Sequence, residues 1–184
     1  MNKRAVYQRG MRVKAKPPRF IVLGGLQGVG KSSLARALCE ALPAVQLRID
    51  SIEQALREAR PGAAIEDAGY RVAYALAHDN LSRGLSVVAD SVNPLVCTRD
   101  AYRAVARRAG VRAIEVQIVC SSVAVHAERV RTRASDIPGL TLPSWPEVCA
   151  REYEPWAAEL TIDTAHRTLA QSSAELLASL HALA

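Results

Sequence analysis

Short apolar runs alternate with helical patterns along the chain. A continuous apolar run predicts a buried strand at 20–23, and we predict further strands at 45–49, 85–89 and 111–119 and a short one near 160–162. Periodic patterns with capping residues predict helices at 32–42, 51–60, 66–83, 98–110, 122–133, 147–159 and from 172 onward. Because strands alternate with helices, we predict an α/β fold, a parallel sheet covered by helices on both faces.

Three polar features follow strands of this predicted sheet. A glycine-rich loop follows Leu23, Asp50 follows the second strand, and Asp90 follows the third. Since ligands of open parallel sheets bind beyond the carboxyl ends of the strands, we expect these three features to share one edge.

The loop after the first strand matches the pattern G-x-x-x-x-G-K-[ST] in full: Gly25, Leu26, Gln27, Gly28, Val29, Gly30, Lys31 and Ser32. Such a loop turns its backbone N–H groups toward the phosphates of ATP or GTP, and the next helix adds its positive N-terminus. Lys31 is expected to reach the β- and γ-phosphates, and Ser32 to bind Mg²⁺. Ser33 is the next expected nucleotide contact. Apart from the basic N-terminal segment, Lys31 is the only lysine in the chain.

Three classes of P-loop protein compete at this point. A small GTPase would carry N-K-x-D, which the body of this chain lacks because it has no second lysine. A motor-type ATPase commonly has a glutamate after the third-strand aspartate, where this chain has Ser91. The length of 184 residues and the missing glutamate favour a small kinase.

Asp50 and Asp90 are the candidate carboxylates of a kinase site. An attacking hydroxyl loses a proton, so Asp50 is interpreted as a general base, with helix capping as the alternative. Asp90 is expected to bind Mg²⁺ directly or through water, to orient the acceptor, or to be structural. Asn93 and Arg99 lie just beyond Asp90 and are further candidates for acceptor contacts.

Arginines gather at the end of the helix before a proline-rich loop, which is predicted to be mobile. Arg129 and Arg133 are four residues apart and share a helix face, so both are candidates to stabilise charge on the γ-phosphate. Arg131 and Arg151 are weaker candidates, and a solvated basic face is the alternative for the whole group. We expect residues 129–151 to form a lid that excludes water.

The net charge of +6 resides in the N-terminal segment. Seven basic and no acidic residues occupy positions 1–19, while the remainder has 17 basic and 18 acidic residues. Residues 1–18 are therefore expected to be a basic, flexible tail, with contact to nucleic acid as the alternative, and residues 19–184 to be the kinase domain. No apolar run could cross a membrane, and four scattered cysteines without a C-x-x-C pair favour reduced thiols in a cytoplasm.

Together these segments resemble the branch of predicted kinases in the AAA family, which is similar to the polynucleotide kinase domain and to chloramphenicol phosphotransferase. The resemblance rests on the phosphate loop, Ile49-Asp50, the segment Asp90-Ser91-Val92-Asn93-Pro94, and Glu128-Arg129 with Arg133. It implies a nucleoside-kinase-like three-layer sandwich, with a five-stranded parallel sheet in the order 2-3-1-4-5 and a helical lid over ATP. It also implies that Asp50 activates the acceptor and that Arg129 or Arg133 is a lid arginine.

One departure from polynucleotide kinases bears on the acceptor. Those kinases carry an arginine three residues after the aspartate, where this chain has Glu53. The sequence therefore favours an ATP- and Mg²⁺-dependent kinase that phosphorylates a hydroxyl group of a small molecule. A kinase for nucleic-acid 5′-hydroxyl ends and a non-catalytic ATP-binding regulator are the alternatives.

Overall fold

The computed structural model describes residues 17–183. Its strands are β1 (Phe20–Gly24), β2 (Ala44–Arg48), β3 (Ser86–Asp90), β4 (Ala113–Val119) and β5 (Leu160–Asp163). Its helices are α1 (Lys31–Ala41), α2 (Ile49–Ala59), α3 (Ala68–Ser82), α4 (Val96–Arg108), α5 (Val123–Thr132), α6 (Trp145–Ala150) and α7 (Leu169–Ala182). The flexible basic tail is predicted for residues 1–18, of which positions 1–16 lie outside the described residues.

All five strands are parallel and lie in the order β2-β3-β1-β4-β5. This confirms the α/β fold and the order 2-3-1-4-5 that the resemblance implied. Asp90 at the end of β3 is in register with Leu23 of β1 and with Arg48 of β2. The register places the phosphate loop and the end of β2 on either side of Asp90.

Two hydrophobic clusters cover the two faces of the sheet and make the three layers. Alternate residues of β1 serve each cluster, since Ile21 and Leu23 face one side and Phe20 and Val22 the other. The first cluster also takes its side chains from α1, β4, β5 and α7, and the second from α3, β3 and α4. Because β1 is buried along its whole length, each large side chain there stabilises the fold by roughly 1.5–3 kcal/mol, and the phosphate loop begins from a rigid base.

The predicted helix over 147–159 is wrong in its extent. Helix α6 begins at Trp145, where Ser144 and Glu147 form a capping box, and it ends at Ala150. Beyond it the chain is irregular up to β5 because Pro155 has no N–H to donate and disfavours helix at the residue before it. Other boundaries differ less: α4 begins at Val96 rather than Thr98 or Asp100, and α7 begins three residues before Ser172.

Hydropathy of the helices bears on membrane insertion. Between residues 17 and 183, no helix combines the length and the apolar character needed to span a bilayer.

Candidate functional site

The phosphate loop connects β1 to α1 and is shaped by its glycines. Gly25 and Gly28 have φ values of 134° and 87°, which L side chains rarely adopt. A Cβ atom at Gly25 would also overlap the carbonyl oxygen of Ile118, and one at Gly28 would overlap Val130 of α5. Gly25, a fixed position of the motif, and Gly28, a variable one, therefore both have a steric cause in this fold.

Two contacts hold the outside of the loop. A ring nitrogen of His126, on α5, lies 2.7 Å from the carbonyl oxygen of Gln27. The Thr164 hydroxyl donates a hydrogen bond of 2.8 Å to the carbonyl of Val29, whose side chain is buried. These contacts hold the loop between α5 and the segment after β5.

Lys31 is the first residue of α1 and is almost fully buried, with 8% of its surface exposed. Its Nζ donates a hydrogen bond of 2.9 Å to the carbonyl oxygen of Leu26. Burial lowers the pKa of Lys31 to about 8, although the carboxylates of Asp90 and Asp50 act in the opposite direction. Near neutral pH the ammonium group is thus a poorly solvated cation at the centre of the loop, where an anion would stabilise it.

Asp90 ends β3 and is 3% exposed. Burial raises the pKa of this carboxyl, while Lys31 and hydrogen bonds from Ser32 and Gln46 act to lower it. Gln46 Nε2 donates at 3.1 Å. The Ser32 hydroxyl and the Asp90 carboxylate together present hard oxygen ligands, which fit Mg²⁺ with water and phosphate oxygens completing its shell. Within residues 17–183 no group of three or more His, Cys, Asp or Glu side chains could hold a metal ion without such help.

Asp50 lies in the first turn of α2, which begins at Ile49, two residues earlier than the sequence suggested. Arg48 occupies the N-cap position, and no side chain in the described part of the chain caps this helix. Capping, the alternative interpretation of Asp50, is therefore wrong. Asp50 lines the same cavity as Lys31 and Asp90, and its charge acts on both.

That cavity has a volume of about 580 Å³. Its walls are the phosphate loop with the start of α1, the ends of β2 and β3, the segment from Arg129 to Asp136, and the turn between β5 and α7. A volume of this size is in the range of pockets for small organic ligands. The structure thus brings the phosphate loop and both candidate carboxylates to one site.

The arginines that the sequence singled out lie in different surroundings. Arg129 lines the cavity, but its guanidinium donates to the side chain and the carbonyl of Thr164, both at 2.8 Å. Arg131 pairs with Glu128 on the exposed face of α5. Arg133 ends α5 inside the cavity, where its Nε is buried without a hydrogen-bond partner among residues 17–183. Burial lowers the pKa of Arg133, and Asp50 acts against that shift.

Arg151 follows α6 and is exposed to solvent. Its positive charge still acts on Lys31 and on Tyr70 of α3. It therefore lies at the rim of the site rather than among the residues that line the cavity.

Arg99 and Asn93 have structural positions, so the expectation that they contact an acceptor is wrong. The Arg99 guanidinium, 1% exposed, donates to the carbonyls of Asn93, Pro94, Glu154 and Pro155 at 2.8–2.9 Å. The side-chain amide of Asn93 donates to the Leu23 carbonyl at 2.8 Å. Together they fasten the segment after α6 to the base of the phosphate loop.

Three further charged residues of the cavity wall escaped the sequence analysis. Arg36 of α1 and Arg48 of β2 both bind the carboxylate of Asp136, which lies beyond α5. Arg48 precedes Asp50 by two residues, which is the only sequence signal among the three. Asp136 is separated from Arg48 by 88 positions and from Arg36 by 100, so the sequence gives no sign that these residues pair.

A phosphate loop at the edge of a five-stranded parallel sheet in the order 2-3-1-4-5 defines a P-loop nucleotide-binding protein with the fold of small kinases. The AAA domain family matches residues 20–140, and the chain belongs to this family. The resemblance drawn from the sequence is thereby confirmed. No curated protein matches the chain significantly.

Solved structures that resemble this fold include several small kinases. A gluconokinase from Sinorhizobium meliloti 1021 is 26% identical, with a TM-score of 0.65 over 92% of this chain and 95% of the other. The APS kinase of Mycobacterium tuberculosis, in complex with AMPPNP and APS, is 18% identical, with a TM-score of 0.67 over 90% and 99%. A sugar kinase from Janibacter sp. HTCC2649 is 15% identical, with a TM-score of 0.64 over 90% and 95%.

Proposed function

We propose that this protein is an ATP- and Mg²⁺-dependent kinase that transfers the γ-phosphate to a hydroxyl group of a small molecule. The observation that carries the proposal is the meeting of Lys31, Asp50 and Arg133 in one cavity, because these groups match the three needs of phosphoryl transfer. The donor phosphate needs a cation, the acceptor needs a base, and the developing charge needs a second cation.

The phosphate loop accounts for binding of the donor. Its N–H groups and the N-terminus of α1 favour anions, and Lys31 supplies a positive charge that is poorly compensated without a ligand. Bound Mg²⁺, held by Ser32 and Asp90, would neutralise part of the charge on the phosphates. The cavity continues to the turn between β5 and α7, which leaves room for the rest of the nucleotide.

Asp50 is the proposed general base. The acceptor oxygen forms a bond to the γ-phosphorus, the bond from that phosphorus to the bridging oxygen of ADP breaks, and Asp50 takes the hydroxyl proton. Asp90 suits this role less well because it is already hydrogen-bonded by Gln46 and Ser32 and is almost inaccessible. Arg133, whose guanidinium retains an unused donor, would stabilise the charge on the transferred group.

Residues 129–151 form the proposed lid, since Arg129, Arg133 and Asp136 from this segment line the cavity. A closed lid would keep water from the γ-phosphate and so favour transfer over hydrolysis. The kinase names of the similar structures, among them a gluconokinase and a sugar kinase, support a small-molecule acceptor. Glu53 supports it as well, since its carboxylate pairs with Arg57 and offers no cation to a nucleic-acid phosphate.

The proposal is tested by measuring phosphate transfer from labelled ATP to a library of hydroxyl compounds. Lys31→Ala should abolish transfer, and Asp50→Asn should reduce it without preventing nucleotide binding. Glu128→Gln is the matched control because Glu128 is an exposed carboxylate outside the cavity. Full activity of Lys31→Ala would refute the site, and full activity of Asp50→Asn would refute the base.

The alternative acceptor is a nucleic-acid 5′-hydroxyl. End-labelling of oligonucleotides that is lost on deletion of residues 1–18 would favour it, whereas the small-molecule proposal predicts that the deletion leaves transfer unchanged. Tight ATP binding with no transfer to any acceptor would contradict the kinase proposal and favour a regulator.

A further inference from the structure

One carboxylate joins the proposed lid to the core of the domain. Asp136 lies three residues beyond Arg133 and receives a two-pronged ion pair from Arg48, with 2.8 Å between Nη2 and Oδ1 and 2.9 Å between Nη1 and Oδ2. Arg36 Nη2 adds a third contact to Oδ2 at 2.8 Å. The lid, α1 and the end of β2 therefore meet at a single side chain, which we call the Asp136 clasp.

The clasp is charged under all ordinary conditions. Hydrogen bonds from Arg48 lower the pKa of Asp136 to about 2, and Arg36 contributes in the same direction. Arg48 is the better buried partner, with 19% of its side chain exposed, whereas Asp136 and Arg36 are more than half exposed. Fork-like pairs of this kind fix geometry more firmly than single contacts between long flexible side chains.

The chain between the clasp and Arg133 is short and locally braced. The N–H of Arg133 still bonds to the carbonyl of Arg129 at 3.1 Å, so Arg133 remains part of the last turn of α5. The Ser135 hydroxyl bonds to both the N–H and the carbonyl of Ile137, at 3.0 and 2.9 Å. Because only Ala134 and Ser135 separate Arg133 from Asp136, we expect a movement of Asp136 to displace Arg133.

A second contact shows where the lid goes after the clasp. Gly139, with φ of 73°, lies against Gln54 of α2, so closely that a Cβ atom would come within 2.8 Å of Gln54 Nε2. The lid thus runs from α5 across the phosphate site to α2, and the clasp lies midway along this path.

We propose that Asp136 is a positioning residue, whose ion pairs with Arg48 and Arg36 hold the lid over the phosphate loop and thereby place Arg133 against the transferred phosphate. The part concerning Arg133 rests on the proposed kinase function, while the part concerning the lid does not. Without the clasp, Arg48 and Arg36 lose their shared counter-ion and Arg133 loses its nearest anchor.

The first test removes the charge and keeps the shape. Asp136→Asn is compared with Glu128→Gln, the matched loss of an exposed carboxylate that pairs with Arg131 on α5. Amide hydrogen exchange of residues 134–142 should rise about threefold to tenfold in Asp136→Asn, the range expected for a partly exposed charged pair, and stay unchanged in Glu128→Gln. Arg36→Gln should give a smaller rise because Arg48 remains. Unchanged exchange in Asp136→Asn would overturn the clasp.

The second test asks whether Asp136 acts through Arg133. The affinity of the full chain for AMPPNP with Mg²⁺ should fall in Asp136→Asn but should not fall further when the same change is made in an Arg133→Gln background. Additive losses in the double variant, or no loss in Asp136→Asn, would overturn the positioning role. Neither measurement needs a phosphate acceptor. A failure to find phosphate transfer would therefore count against the proposed function, while the clasp would be judged by the exchange and affinity measurements alone.

Discussion

The lowered pKa of Lys31 predicts that nucleotide binding weakens in alkaline solution. Without nucleotide, the pKa of this buried lysine is about 8, and bound phosphates would raise it because they favour the charged form. The affinity is therefore fully present well below pH 8 and is lost as the pH rises through and above it. With one titrating group, the dissociation constant doubles at the pKa and grows about elevenfold by pH 9, equivalent to about 1.4 kcal/mol.

Calorimetric titration with AMPPNP at constant Mg²⁺ and ionic strength, from pH 7.5 to 9.5, measures this effect. This range brackets the pKa of Lys31, which is about 8. Above pH 8 the binding should also take up a proton, which makes the measured heat depend on the ionisation enthalpy of the buffer.

Lys31→Arg is the control because a guanidinium stays protonated over the whole range. The variant retains every other titrating group of the chain, including the four cysteines. Its affinity, whatever its absolute value, should be independent of pH. A flat profile for the unaltered protein, or an equal slope in Lys31→Arg, would show that Lys31 does not cause the pH dependence.

Three substitutions test other parts of the structure. Asp50→Asn should lower kcat by about 10²–10⁴, the usual contribution of a general base, while AMPPNP binding measured by calorimetry is retained; an equal loss in both would contradict the assignment. Arg99→Met should lower the free energy of unfolding, measured by urea denaturation, by at least about 3 kcal/mol because four carbonyl groups lose their hydrogen-bond donor. The control is Arg107→Met, which changes an exposed arginine of the same helix and should alter this free energy by less than about 0.5 kcal/mol. Equal effects of the two substitutions would refute the structural role of Arg99. Gly24→Ala should cost about 1–3 kcal/mol in the same assay because the new methyl group would overlap the Trp156 ring, and unchanged stability would show that the ring can move away.

The strands could be predicted from the sequence because their signal is local. Residues 20–24 are buried on both sides of the sheet, so a continuous apolar run is enough to identify β1. The helix over 147–159 could not be delimited in this way. Its end depends on Pro155 and on Arg99, which binds the carbonyls of residues 154 and 155 from a position more than fifty residues away.

The candidate site likewise has parts that could be predicted from the sequence and parts that could not. The phosphate loop is contiguous, and Asp50 and Asp90 come directly after predicted strands, so topology alone brings them to one edge. The Asp136 clasp had no such signal because it depends on where the proposed lid packs against α1 and β2. Asp136 is 88 positions from Arg48 and 100 positions from Arg36. Exposed charges at these positions are common on any protein surface, and only the fold identifies their pairing.

The side-chain contacts of Arg129 and Arg133 distinguish these two arginines of the proposed lid, between which the sequence did not choose. Arg129 has both terminal nitrogens committed to Thr164, so moving it onto a phosphate would break the contact between α5 and the turn after β5. At the rim, Asp136 pairs with Arg36 and with both terminal nitrogens of Arg48, whose Nε has no partner among residues 17–183. Among the arginines in the last turn and C-cap of α5, only Arg133 has a buried donor in the cavity without a partner among residues 17–183, and Asp50 is the carboxylate whose charge acts on it. The terminal phosphate of a nucleotide between Lys31 and Arg133 would compensate two cations whose burial lowers their pKa, which supports Arg133 as the proposed arginine of transfer and Arg129 as a brace.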